Sequence, residues 1–77
     1  MVHAFIMVKT GAGESEQLIE PIRGLCGVVE AHIVAGAYDI IAEAASDEVY
    51  DVLGTATGDI QSLQGVTETK TYIALDE

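Results

Sequence analysis

The 77-residue chain has one cysteine, one proline, one phenylalanine, no tryptophan and three basic residues, and these scarcities close off several classes of protein. Cys26 stands alone, so it cannot form a disulfide within the chain or supply a thiolate metal site. The two histidines, His3 and His32, fall on different segments, and neither a metal nor a cofactor is expected. Lys9, Arg23 and Lys70 face 13 acidic residues, a formal charge of −10. That balance repels phosphate backbones and anionic headgroups, so direct contact with nucleic acid or with a membrane is not expected. The apolar stretch 2–8 is too short to span a bilayer and has no basic leader, which makes a cytoplasmic protein the default.

What is present is a high apolar content, 49% of the residues. A chain of this length forms one domain with a modest core, and such domains are marginal unless something adds to them. With disulfides and metals set aside, oligomerisation is the addition left. The acidic residues are dispersed and not gathered in a tail. A dispersed, lysine-poor acidic surface suits concentrated salt, where screening removes self-repulsion, so a halophilic protein is expected.

Val2–Thr10 is rich in Val, Ile and Phe and ends at Gly11-Ala12-Gly13, the pattern of a buried strand. Val2, Ala4, Ile6 and Val8 share one face; His3, Phe5, Met7 and Lys9 share the other. Glu14–Leu25 places Leu18, Ile22 and Leu25 at helical spacing, with Pro21 predicting a kink or an early stop. Val28–Ala35 and Tyr38–Ala45 read as two strands joined by a two-residue turn at Gly36-Ala37, with Gly36 at positive φ. Ser46-Asp47-Glu48 opens a second helix whose apolar residues, Val49, Val52, Leu53, Ala56, Ile60 and Leu63, continue at helical spacing. Gly54 and Gly58 inside it each cost about 1 kcal/mol relative to Ala and make it soft. Val66–Leu75 is a fourth strand, and Asp76-Glu77 an exposed end.

The order β-α-β-β-α-β with right-handed crossovers gives an α+β fold of the ferredoxin-like kind. It has one four-stranded antiparallel sheet with both helices on one face. The other face is bare in a single copy and includes Phe5 or its neighbours and Tyr72. Packing of two sheets face to face would cover it, so a homodimer is expected. An internal repeat marks the two halves: Leu25-Cys26-Gly27-Val28-Val29-Glu30 and Leu63-Gln64-Gly65-Val66-Thr67-Glu68 share L-x-G-V-x-E, each joining a helix to a strand.

Catalytic patterns are thin. Cys26 has no histidine near it in sequence and reads as a small buried or half-buried apolar residue. Gly11-Ala12-Gly13 lacks the spacing and lysine of a phosphate loop and reads as a turn. His3 and His32 read as partly solvated sheet residues. The segment Gly36-Ala37-Tyr38-Asp39 is different: it combines turn amides, a phenol and a carboxylate, the groups a zwitterion clamp would use. A plain hairpin tip accounts for the same residues equally well.

Three stretches carry a resemblance: A-F-I-M-V-K-T, then V-V-E-A-H-I-V-A-G-A-Y-D-I-I-A, then Q-G-V-T-E-T-K-T-Y-I-A-L. Together they resemble the effector domain of the Lrp/AsnC family of leucine- and asparagine-responsive regulators, often called the RAM domain, over nearly the whole chain. The resemblance implies a single RAM-type ligand-binding and oligomerisation domain across residues 1–77. It implies dimers through the sheet, rings of dimers, and small effectors, typically amino acids, bound between dimers near the G-x-Y-D turn. Carried over by residue, that turn is Gly36, Tyr38 and Asp39, with Ala37 at the variable position. Thr69 and Thr71 match the T-x-T of the last strand and join the candidate ligand-binding set. Family members also carry a helix-turn-helix, and this chain starts in the first strand. It therefore reads as a stand-alone, non-enzymatic accessory regulator, with full-length relatives as candidate partners in mixed oligomers, or as a metabolite buffer. Two rivals remain. One is a cofactor-free monooxygenase or isomerase of the small dimeric ferredoxin-like barrel type, using His3, His32 or Tyr72. The other is a ligand-free interaction domain.

Overall fold

Strand β1 (Val2–Thr10) turns Ala4, Ile6 and Val8 completely inward and leaves His3, Phe5, Met7 and Lys9 on the opposite face. The computed structural model describes residues 1–76, and of residues 56 and 57 the backbone alone. After β1 come α1 (Ser15–Arg23), β2 (Val28–Ile33), β3 (Ile40–Ser46), α2 (Val49–Gly54) with a π-helical continuation Thr55–Ile60, and β4 (Val66–Ile73). The four strands form one antiparallel sheet in the order β2-β3-β1-β4. This is the expected ferredoxin-like β-α-β-β-α-β arrangement. Leu18, Ile19 and Ile22 of α1, Val52 of α2 and Ile60 pack on Ala4, Ile6, Val8, Ala31, Ile40, Ala42 and Ala44 of the sheet. Each fully buried Ile or Val there contributes about 1.5–3 kcal/mol of transfer free energy. Glu77 and the side chain of Ala56, expected at an exposed end and on the apolar helix face, lie outside the described residues.

The internal repeat is the best-resolved link from sequence to backbone. Gly27 and Gly65 have φ of +95° and +105°, the left-handed region open to glycine. Val28 N–H donates to Leu25 O, and Val66 N–H to Leu63 O, both at 3.2 Å. Glycine at the third position of such a turn is what a type II geometry requires. The segments around each glycine are then tied to a neighbouring strand or turn: Gly27 O accepts from Ala45 N–H at 2.9 Å, Gly65 O from Gly11 N–H at 3.0 Å. The variable residue of each V-x-E is a β-bulge: Val28 and Glu30 pair with Ala44 and Glu43, Val66 and Glu68 with Thr10 and Lys9.

Several expectations are corrected. Helix α1 runs through Pro21 and stops at Arg23, not Leu25: Gly24 N–H still reaches Glu20 O at 3.0 Å, but Leu25 N–H turns to Ile22 O at 3.1 Å in a tighter turn. The β2–β3 connection is not a two-residue turn. It spans residues 34–39, closed by Val34 N–H to Asp39 O at 2.8 Å. Gly36 has no positive φ. In β2 the bulge at Val29 interrupts strict alternation: Val28 packs against the core, Val29 is exposed and Ala31 is buried. Cys26, in the first glycine turn, is exposed. The soft second helix changes to π geometry just after Gly54, where a residue without Cβ does little to hold α spacing.

Candidate functional site

The loop 34–39 closes over the end of β1. Asp39 N–H donates to Val8 O at 2.9 Å, and Asp39 Oδ2 accepts the Thr10 backbone N–H at 2.9 Å and the Thr10 hydroxyl at 3.4 Å. Thr10 Oγ1 also lies 3.1 Å from Ser15 Oγ at the start of α1. Asp39 therefore ties loop, strand and helix together, and one of its oxygens is already engaged. Gly36 and Ala37 form the exposed tip, and Tyr38 and Asp39 are half-buried.

Tyr38 reaches across β1 to β4, where its hydroxyl donates to Glu68 Oε2 at 3.1 Å. Desolvation, then the hydrogen bond and charge of Glu68, raise the phenol above its ordinary 10.0, and Lys70 pulls the other way. Lys9, cross-strand neighbour of Glu68, sits with its Nζ 6.0 Å from the Tyr38 ring centre. Two of the three basic residues of the chain thus border one tyrosine. The group offers both signs of charge: Glu68 to an ammonium, Lys9 and Lys70 to a carboxylate.

Of the T-x-T pair, Thr69 stands opposite Val8 and Thr71 opposite Ile6, so both face the helix layer. Thr69 Oγ1 accepts Gln61 Nε2 at 2.6 Å. A shallow depression of about 310 Å³ there is lined by Gln61, Val66, Thr67, Glu68 and Thr69. Thr69 and Thr71 thus lie on the other side of the sheet from Glu68 and Lys9, and the structure does not bring them together with Gly36–Asp39. Thr10, Ser15 and Glu68 are not singled out by any sequence motif. Strand pairing reveals Thr10 and Glu68, which meet Asp39 and Tyr38 from 29 and 30 residues away along the chain, whereas Ser15 meets Thr10 across the short turn before α1.

His3, His32 and Tyr72, the residues of the rival enzyme reading, all lie on the uncovered sheet face. Among the described residues no three His, Cys, Asp or Glu side chains are grouped to hold a metal ion, and no helix is long and apolar enough to cross a membrane.

The family model of the Lrp/AsnC ligand binding domain matches residues 3–77. The chain belongs to that family. Its relatives with known structure include TTHA0845 from Thermus thermophilus, 31% identical, covering 100% of this chain and 96% of that one with a TM-score of 0.94. PHS023 from Pyrococcus horikoshii is 34% identical over 100% of this chain and 93% of that one, TM-score 0.88. The AsnC protein of E. coli shares the fold at TM-score 0.88 and 22% identity, and there the Lrp/AsnC domain spans 99% of this chain but 52% of that one. A regulator of Neisseria meningitidis, NMB0573, solved as a complex with L-Met, has the same fold at 19% identity, TM-score 0.83, over 99% of this chain and 51% of that one. No curated protein sequence matches. The family places the chain among regulatory ligand-binding domains.

Proposed function

We propose that this Lrp/AsnC domain, a single unit over residues 1–77, is a cytoplasmic amino-acid sensor that acts in transcription regulation, with no catalysis of its own. The match of residues 3–77 to a ligand-binding domain carries the reading. The complex of the Neisseria regulator with L-Met, on the same fold, supports an amino acid as the effector class. The site is the loop Gly36, Ala37, Tyr38 and Asp39, with Thr69 and Thr71 set apart on the other side of the sheet. Asp39 braces the loop through Thr10. Glu68 beside Tyr38 receives the effector's ammonium, and Lys9 and Lys70 attract its carboxylate.

Two copies pair through the uncovered sheet face, where Phe5 and Tyr72 stand opposite each other and remain 38% and 53% exposed in one chain. Such dimers assemble into rings, and full-length Lrp/AsnC regulators are the candidate partners in mixed assemblies. The dispersed acidic surface belongs to a protein working in high salt.

The test is calorimetric unfolding in concentrated potassium chloride, alone and with each proteinogenic amino acid. A ligand that binds only the folded form adds about 2.7 kcal/mol of stability at a hundred times its dissociation constant. A raised melting temperature with one or a few amino acids is the expected result. No shift with any of them removes the sensor reading and leaves a ligand-free interaction domain.

A further inference from the structure

Four titratable side chains lie in a line on the uncovered face of the sheet. Glu30 of β2 stands directly opposite Glu43 of β3. His3 Nδ1 is 2.9 Å from Glu43 Oε2, and His32 Nε2 is 3.0 Å from Glu30 Oε1. Like charges facing each other on neighbouring strands are unfavourable, and here each acid has an imidazole as its other neighbour.

The surroundings offer little other compensation. The depression around His3 is lined by Met1, Phe5, Ala74 and Asp76, which brings the terminal amino group and one further acid. Beside Glu30 and His32 lies Arg23, but its guanidinium donates to Ala31 O at 3.1 and 2.9 Å and to Glu20 at 2.8 Å. Lys70 shares the row of His32, with Ile41 and Met7 between them. In one chain the cluster is half in water: the side chains of His3 and Glu43 are 42% and 26% exposed, those of His32 and Glu30 64% and 63%.

Covering this face changes the balance. Two copies would bring two pairs of adjacent carboxylates into a layer shared with Phe5, Met7, Ile41 and Tyr72, away from the water that screens them. Burying charge is costly unless it is paired. A proton on each imidazole turns the His–Glu contacts into ion pairs and cancels the acid pair. We propose that pairing of two copies through this face takes up protons at His3 and His32, so that self-association strengthens as the pH falls through the imidazole range. The inference rests on the face-to-face dimer of the proposed function and adds its regulation. The sign follows from linkage: the paired state binds more protons than the separate chains, so its formation is favoured by acid, about tenfold per pH unit for each proton taken up.

The experiment is sedimentation equilibrium between pH 8 and 6 at fixed potassium chloride, a window in which imidazoles titrate and ordinary carboxylates do not. The dissociation constant of the dimer should fall at least tenfold from pH 8 to pH 6, an average uptake of about half a proton or more across the window. The double variant His3→Asn/His32→Asn, which keeps polar side chains but cannot take up a proton there, should lose that slope. Glu30→Gln, which removes one acid of the pair, should associate more tightly at pH 8. Circular dichroism at each pH confirms that the variants stay folded. A dimer whose constant is flat with pH, or whose slope survives the double histidine variant, overturns the inference while leaving the dimer. A chain that stays monomeric throughout overturns both.

Discussion

Asp39 accepts two hydrogen bonds from Thr10 through one carboxylate oxygen, from the backbone N–H at 2.9 Å and the hydroxyl at 3.4 Å. The acid of the G-x-Y-D turn is therefore a brace for the loop before it is anything else. Asp39→Ala would leave a half-buried N–H without that acceptor, at a cost of about 1–3 kcal/mol. In a domain of this size that lowers the melting temperature by several degrees per kcal/mol. Asp39→Asn keeps an oxygen in place and should cost less than half as much. Calorimetry of the two variants checks the order; equal melting of Asp39→Ala and the parent would show that the brace contributes nothing.

The glycines separate into required and free positions. At Gly65, φ is +105° and an added Cβ would fall 2.6 Å from Glu14 Oε2; at Gly27, φ is +95° and the Cβ would meet Thr55 Oγ1 at 3.1 Å. Gly36 and Gly54 have neither a positive φ nor any heavy atom within 4 Å of the new Cβ. Gly65→Ala should therefore destabilise most and Gly27→Ala somewhat less, by about 1–3 kcal/mol each. Gly36→Ala should be near neutral. Gly54→Ala, at a helical φ of −62° and ψ of −40°, should stabilise by up to about 1 kcal/mol. Chemical denaturation of the four variants tests this ranking, and a Gly36 variant as damaging as Gly65→Ala would contradict the loop geometry.

That contrast shows where the sequence is informative. The L-x-G-V-x-E repeat specifies a local backbone state, and Gly27 and Gly65 adopt it in both halves. The period-2 pattern of β1 likewise separates Ala4, Ile6 and Val8 from Phe5 and Met7 without reference to any other segment. Gly36 misleads because a glycine between two apolar runs signals a tight hairpin, whereas the bond from Asp39 to Val8 draws the loop across β1 and lengthens it. The Tyr38–Glu68 bond joins residues 30 positions apart, and the His3–Glu43 pair residues 40 apart. Both depend on strand register, which bulges at Val29 and Thr67 help to set and which composition does not disclose.

The phenol of Tyr38 gives a direct report on the loop. Desolvation together with Glu68 raises it above 10.0, so the neutral phenol is favoured in the folded chain. The stabilisation is present below the ordinary tyrosine range and is lost as pH rises through the folded value, above about 10. Glu68→Gln should bring the Tyr38 transition down, whereas Lys70→Gln should push it further up. Ultraviolet difference titration of the phenolate band reads this, with Tyr50 and Tyr72 replaced by Phe so that one transition remains. A transition indifferent to Glu68→Gln would mean that the Tyr38–Glu68 bond is not formed in solution.

The formal charge of −10 bears on stability as well as on partners. The described side-chain contacts between acids and basic residues or histidines are Arg23–Glu20, His3–Glu43 and His32–Glu30, all at least partly exposed, so most acids face solvent and repel one another. Potassium chloride shortens the screening length from about 10 Å at 0.1 M to about 3 Å at 1 M, less than the spacing of most surface acids. Folding, which brings these charges together, should gain from salt, and the melting temperature should climb steadily between those concentrations. Sodium sulfate raises stability for a different reason, by exclusion from apolar surface, so the comparison needs chloride at matched ionic strength. Replacing three exposed acids, Glu16, Glu20 and Asp47, by Gln or Asn should reduce the dependence on chloride without lowering stability in molar salt. If the chain melts at the same temperature across that tenfold range of chloride, its acidic surface is not an adaptation to salt, and the dispersed acids serve solubility alone.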